Sequence, residues 1–237
     1  MTTVAVVLTF ASGASDVASF TRLGNVFTSV MTGNITLFGL SVATGSKSLA
    51  AHTAVAFAGY VVGVVVGARA VGKRAERVSG GYWTPRLTLT LLTELALLAG
   101  VLIGWELTGT RPSGAAQFVI LAVAACAMGI QSAAVNQMGL GNVSTTFLTG
   151  TLTGLISALA TGRTPEGLRR SLGIFAALVT GAILSALITM YQPALLPIVV
   201  LAPIALVVWL ASARFGPRPA AADQAGQDSQ DSQPGPS

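Results

Sequence analysis

Two stretches of this chain are copies of one another. Leu23 to Gly45 reads LGNVFTSVMTGNITLFGLSVATG and Leu140 to Gly162 reads LGNVSTTFLTGTLTGLISALATG, at a constant offset of 117 residues (140 − 23 and 162 − 45). Identities fall at Leu23/Leu140, Gly24/Gly141, Asn25/Asn142, Val26/Val143, Thr28/Thr145, Thr32/Thr149, Gly33/Gly150 and Thr36/Thr153, and both copies close on Ala-Thr-Gly. A chain with such a duplication must fold as two related halves, each carrying one copy. Within each copy Asn and Thr recur at steps of three and four, which sets them on one face of a helix that is otherwise apolar. A polar stripe built twice into hydrophobic segments is the pattern expected of a transporter-like site at a repeat interface.

The surroundings are those of a membrane protein. Of the 237 residues 52% are hydrophobic and 9% charged, with a mean hydropathy of +0.74, where a soluble domain carries roughly 25% charged residues. The cations that raise the pI to about 10.1 stand in the gaps between apolar runs, where the positive-inside rule puts them, so the charge does not argue for nucleic acid. Cys126 is the only cysteine and His52 the only histidine; neither a disulfide nor a Cys/His metal site is expected. HExxH, GxSxG and Walker-type motifs are absent, so the chain is not expected to be an enzyme or to need a cofactor. No Lys or Arg precedes Arg22, and the first apolar run is expected to be an uncleaved helix rather than a signal peptide.

Eight apolar stretches run about Val4 to Phe20, Val26 to Val42, Thr53 to Val71, Leu87 to Trp105, Gln117 to Val135, Val143 to Ala160, Ser171 to Tyr191 and Ala194 to Ala211. The second and sixth are the duplicated segments; they are short and interrupted by Gly33 and Gly150. Charge chooses the topology. Were all eight to cross, the thirteen cations would divide six against seven. If the duplicated segments enter and leave on one side, ten cations collect at one face, and only Arg22, Lys47 and Arg111 remain opposite. That asymmetry predicts an all-α membrane protein with six crossing helices plus two re-entrant or broken ones, and both termini cytoplasmic. Three crossings per half make the second half (residues 111–213) an inverted copy of the first (1–110), a 3+3 inverted repeat. Residues 214–237, rich in Pro, Gly, Ser, Gln and Asp, read as a disordered cytoplasmic tail. Tyr82, Trp83 and Trp105 are placed at membrane interfaces. Gly59, Gly63 and Gly67, and in the second half Gly173, Ala177, Gly181 and Ser185, form small-residue faces for close helix packing, inside the monomer or in a homodimer.

Two carboxyl groups lie at membrane depth: Asp16 near the end of the first stretch and Glu94 in the middle of the fourth. Such a group is expected to face a cavity, to be paired, or to be neutral; Arg22 is a candidate partner for Asp16. The residues expected to bind substrate or ion are Asp16, Arg22, Asn25, Thr28, Thr32, Gly33, Asn34 and Glu94, with Asn142, Thr145, Thr149, Gly150 and Thr151 from the second copy. Breaks at Gly24, Asn25, Gly33 and Gly150 support this, since interrupted helix is tolerated at membrane depth where it lines a cavity or is buried in protein. The competing reading is packing, because threonine in a helix often bonds its own i−4 carbonyl.

Asp16 followed by Leu23-Gly24-Asn25-Val26-Phe27 and Met31-Thr32-Gly33-Asn34, then Gly129-Ile130-Gln131, Thr145-Thr146 and Thr149-Gly150-Thr151-Leu152-Thr153, resembles the YoaK family of bacterial multi-pass membrane proteins of unknown function. The resemblance covers nearly the whole chain up to the tail and adds Gln131 to the candidate site. The Gln-Asn pair and basic residue of that family's second half are here Gln131-Ser132 and Asn136-Gln137. The expected function is a small secondary transporter or permease in the plasma membrane, with its site between the repeats and Asp16 or Glu94 coupling to an ion. The alternatives are a channel, dimeric in one version, whose pore is lined by the paired Thr-Gly segments, and a non-transport membrane protein. Expected partners are the lipid bilayer and a small solute or ion.

Overall fold

The computed structural model describes residues 2–71, 84–137, 148–162 and 168–215, which contain helices and turns and no strand. The first helix, α1 (Thr2–Arg22), stops because Gly24 and Asn25 both take positive φ, 94° and 60°, and two left-handed residues in a row end a right-handed helix. Gly24 is required on a second count, since a β-carbon there would run into the His52 ring. The chain stays non-helical to Val30, restarts as α2 (Met31–Thr44), and closes on left-handed Gly45 (φ 69°), with the Ser46 N–H bonded back to the Ser41 carbonyl (2.9 Å). Then come α3 (Lys47–Val71), α4 (Pro85–Leu107), α5 (Gly114–Gln137), α6 (Leu148–Ala160), α7 (Leu168–Tyr191), a 3₁₀ turn at Pro193–Leu195 and α8 (Leu196–Phe215). Helix α4 begins with Pro85 in its first turn and the Thr84 hydroxyl accepting from Leu87 N–H.

Six of these helices are long and apolar enough to cross a membrane: α1, α3, α4, α5, α7 and α8. The other two have 14 and 13 residues. At about 1.5 Å per residue they reach only about 20 Å, short of the ~30 Å hydrocarbon core. The expectation of six crossings and two short repeat helices therefore holds.

Side-chain bonds fix the helix directions. Near the start of α5, Gln117 donates to the carbonyl of Arg22, the last residue of α1 (3.0 Å); near its end, Gln131 donates to the Leu8 carbonyl (3.0 Å). These two helices are antiparallel. Gly59, Gly63 and Gly67 of α3 meet Ala122, Cys126 and Ile130 of α5 in ascending order, so α3 and α5 are parallel. On α7, Gly181 lies against the Phe10 carbonyl and Ser185 donates to Ala14 O (2.8 Å), so α7 is parallel to α1. Trp105 Nε1 donates to Pro193 O (3.0 Å), tying the end of α4 to the start of α8.

It follows that α1 runs against α3, and that the chain leaves α1 and enters α3 at the same end of the bundle. The first repeat segment does not carry it across. By the same reasoning α5 ends, and α7 starts, at the opposite end. Arg22, Lys47 and Arg111 mark the first of these ends; Arg69, Arg86, Arg169, Arg170 and Arg214 mark the other.

The closest helix approaches come in reciprocal pairs. Gly63 of α3 sits on the Cys126 carbonyl of α5, and Gly181 of α7 sits on the Phe10 carbonyl of α1. Gly13 of α1 sits on the Leu178 carbonyl of α7, and Gly129 of α5 on the Tyr60 carbonyl of α3. Exchanging α1 with α5 and α3 with α7 turns each contact into its counterpart. Both small-residue faces are thus used inside the monomer. The two central helices, α1 and α5, are the most buried of the six, while the others turn much of their apolar surface outward, as lipid-facing helices do.

One expectation is corrected here. Trp105, in the last turn of α4, is 2% exposed and packed at the α4–α8 junction rather than turned outward to anchor in lipid headgroups, because its indole N–H finds a carbonyl inside the protein. Tyr82, Trp83 and the tail from residue 216 on lie outside the described residues.

Candidate functional site

The polar centre of the molecule is a latch between α1 and the broken segment that follows it. Ser12, Ser15, Asp16 and Ser19 recur at i, i+3, i+4 and i+7, one buried stripe of an otherwise apolar helix. Asp16 holds the non-helical turn at residues 28 and 29. Its Oδ1 accepts from Thr28 N–H (2.9 Å), Ser29 N–H (2.7 Å) and the Thr28 hydroxyl (3.2 Å), and its Oδ2 accepts from the Ser29 hydroxyl (2.6 Å). Backbone amides that a helix break would orphan are thereby satisfied by one carboxylate. Ser15 Oγ and Thr28 Oγ1 are 2.8 Å apart, and the Ser19 hydroxyl donates to the Val26 carbonyl (2.9 Å). From the other side, Asn34 of α2 clasps Phe27, accepting its N–H (2.9 Å) and donating to its carbonyl (2.7 Å).

A second knot stands at the same end of the bundle. Gln117 is shared between the Arg22 carbonyl and His52, whose Nε2 lies 3.2 Å from Gln117 Oε1. The His52 Nδ1 lies 2.7 Å from the Ser48 carbonyl, and its ring stacks on Phe118. Arg22 does not reach Asp16; its guanidinium donates to the Thr189 carbonyl of α7 (2.8 Å).

Beside the latch lies a mostly apolar cleft of ≈ 40 Å³, with room for a few atoms. Ser15, Ser19 and Thr28 give it one polar wall. Leu98, Val101 and Trp105 of α4, Ile120 and Ala124 of α5, and Leu196 and Val200 of α8 supply most of the rest. Both halves of the chain line it.

The candidates from sequence divide into three groups. Asp16, Thr28 and Asn34 come together in the latch, and Gln131 and Glu94 lie deeper, buried at 4% and 0% exposure. Asn25, Thr32, Thr149 and Gly150 face outward. The hydroxyl of Thr36 bonds its own i−4 carbonyl, Thr32 O (3.1 Å), and Thr153 does the same with Thr149 O (2.9 Å). Gly33 is half-buried, with Phe27 packed over it. Asn142 and Thr145 lie outside the described residues; Thr151 is described only as part of α6.

Sequence reading missed Ser12, Ser15 and Ser19, whose helical spacing to Asp16 was the available signal. It also missed the pairing of His52 with Gln117, two residues 65 positions apart, for which periodicity carries no signal. The carboxyl and amide side chains of the latch have no counterparts at the equivalent positions of the second half of the sequence. Gly13 and Gly129 play reciprocal parts at an offset of 116 (129 − 13), so Asp16 corresponds to Ser132, and in the repeat alignment Asn34 corresponds to Thr151.

Among proteins of known sequence, the chain is similar to the "UPF0700 transmembrane protein YoaK" of Bacillus subtilis (strain 168), 29% identical over 153 residues, which are 65% of this chain and 64% of that protein. The alignment thus spans under two thirds of the relative's length. No solved structure matches the chain. Residues 4–211, from the first turn of α1 to the last turns of α8, match the family described as "Protein of unknown function (DUF1275)", and this six-span membrane protein belongs to it.

Proposed function

We propose that the chain is a small secondary transporter or permease of the plasma membrane, with both termini cytoplasmic, built as an inverted 3+3 repeat, and binding its solute in the cleft beside the Asp16 latch. The observation that carries the reading is the cleft: helices of both halves line it, one wall is polar, and an interrupted helix held by a buried carboxylate closes it. Discontinuous helices next to a site between repeats are the usual arrangement in such carriers. The inverted relation is supported by the antiparallel course of α1 and α5 and by the reciprocal glycine contacts. The positive-inside rule supports the orientation, because the cation-rich end carries the N-terminus of α1 and the C-terminus of α8. Neither metal nor cofactor enters this reading, and no chemical step is assigned to the chain.

A solute screen with the purified protein in liposomes tests it. Saturable uptake that follows an imposed H⁺ or Na⁺ gradient is the expected result. Val101→Trp, which fills the cleft, should abolish that uptake while the protein still elutes as a folded species. Uptake untouched by Val101→Trp would move the site elsewhere, and a screen with no flux above protein-free liposomes would overturn the reading. One observation favours a channel instead. Thr32, Thr149 and Gly150 face outward from the monomer, where a second copy would be needed to make a pore of the paired Thr-Gly segments. Unitary conductance steps in a planar bilayer would select that alternative.

A further inference from the structure

Glu94 is fully buried, and neither of its carboxyl oxygens has a hydrogen-bond partner. Oε1 of Gln131 is a third buried oxygen in the same condition. Helix register brings the two residues to one level. Gly104 of α4 meets Ile120 of antiparallel α5, so Glu94, ten residues earlier (104 − 94), stands level with Ile130 and Gln131 (120 + 10). Trp105 meets Pro193 at the start of α8, so eleven residues down (105 − 94) Glu94 stands level with Ile204 (193 + 11), next to Pro203. Proline has no N–H, which deprives the Val199 carbonyl of its i+4 donor at that depth. Gln131 is held from behind: its amide nitrogen donates to Leu8 O (3.0 Å) and Ser12 Oγ (3.0 Å). This leaves Oε1 as the free end of a fixed side chain. The residues around the level, Leu8, Leu91, Leu98, Met128 and Ile204, form one apolar cluster.

We propose that Glu94 and Gln131, with Ser12 behind, form an exchangeable site for a single monovalent cation, H⁺ or Na⁺, midway through the bundle. A buried carboxylate with no partner is too costly to persist as a bare charge. One unit of positive charge neutralises it, whereas a divalent ion would leave an uncompensated charge of the other sign. The available ligands are carboxylate, amide and carbonyl oxygens, the hard donors that H⁺ and Na⁺ accept. Among the described residues, no other charge competes for Glu94 from the packed elements. On α1 the carboxylate of Asp16 is committed to Thr28 and Ser29. Helix α5 offers the Cys126 thiol, and α3 offers Tyr60, with His52, Lys47 and Arg69 in its terminal turns; α8 has Arg214 at its far end. Access is from the cleft. Leu98, one turn from Glu94 on α4, lines the cleft.

The site deepens the transporter reading and rests on it only for the use made of the ion, since binding is measured on the full chain in detergent without flux. Infrared difference spectra give the readout. In the Na⁺ case, replacing choline by Na⁺ at fixed pH converts a protonated-carboxyl absorption into a carboxylate one. In the H⁺ case, the same band changes with pH in the absence of Na⁺. Glu94→Gln should remove the response, and Gln131→Leu should shift its midpoint by about tenfold in ion concentration. Ser12→Ala, a milder change, should shift it in the same direction. A spectrum that neither Na⁺ nor pH moves overturns the site, as does a response that survives in Glu94→Gln. Ion binding without solute uptake would retain the site and remove the transporter reading.

Discussion

Among the described residues, Asp16 makes more of the local structure than any other single side chain. It accepts four hydrogen bonds from two consecutive residues of a helix break, and two of the donors are backbone amides with no other partner in a helix. Asp16→Ala leaves those amides buried and unpaired, and we expect it to destabilise the protein by about 2–4 kcal/mol. Asp16→Asn keeps one oxygen for the two amides, and the Ser29 hydroxyl can turn to accept from the new amide nitrogen, so its cost should be about 1 kcal/mol or less. Thermal unfolding in detergent separates the two; equal loss in both variants would mean that charge rather than hydrogen bonding holds the turn. The threonines divide in the same way. Thr28 is buried against Asp16 and the cleft, whereas Thr32 and Thr149 face outward. Thr28→Val should therefore reduce solute uptake, while Thr32→Val with Thr149→Val should leave stability within about 0.5 kcal/mol and uptake intact. Uptake lost in the double variant and kept in Thr28→Val would transfer the pathway to the outward face of α2 and α6.

At the level of elements, close approach of helices is set by which glycines meet a backbone carbonyl. A β-carbon on Gly63 would collide with the Cys126 carbonyl of α5, and one on Gly181 with the Phe10 carbonyl of α1. Neither neighbour is the free end of a flexible side chain, so the helices themselves would have to part. Gly63→Leu and Gly181→Leu should each cost more than about 3 kcal/mol, whereas Gly150→Leu, with open space around it, should be tolerated. Folded yield and unfolding temperature measure this; a well-folded Gly63→Leu protein would refute the α3–α5 packing. These faces were legible in sequence because small residues at every fourth position leave a direct trace. The two short helices were legible for another reason: charge on either side of them distinguishes a segment that returns from one that crosses. The stripe of Ser12, Ser15 and Ser19 was not, since serine is common in buried helices and its meaning lies in the turn it contacts. Nor was the fate of Arg22 or Trp105, whose partners Thr189 and Pro193 lie 167 and 88 positions away. Periodicity reports a face; it carries no information on which distant carbonyl that face will meet.

For the whole molecule the directions of the helices and the distribution of charge have independent causes, and they agree. The directions come from contacts such as Gln117 with Arg22 and Gln131 with Leu8; the charge asymmetry reflects the cost of moving Lys and Arg across a bilayer during insertion. Together they place Arg22, Lys47 and Arg111 at one end and Arg69, Arg86, Arg169, Arg170 and Arg214 at the other. In the orientation proposed above, the first end is external. The sole native thiol, Cys126, is only partly buried, so the test begins from a Cys126→Ala background. In that background, Ser48→Cys and Thr110→Cys should react with an impermeant maleimide in intact cells. Ser79→Cys, between α3 and α4, and Ser229→Cys, in the C-terminal segment, should react only after the membrane is permeabilised. Ser48 lies at the start of α3 and residue 79 lies beyond its end, so α3 itself is the span under test. Labelling of both from the same side would mean that α3 does not cross, and the antiparallel course of α1 and α5, on which the proposed inverted repeat depends, would fall with it.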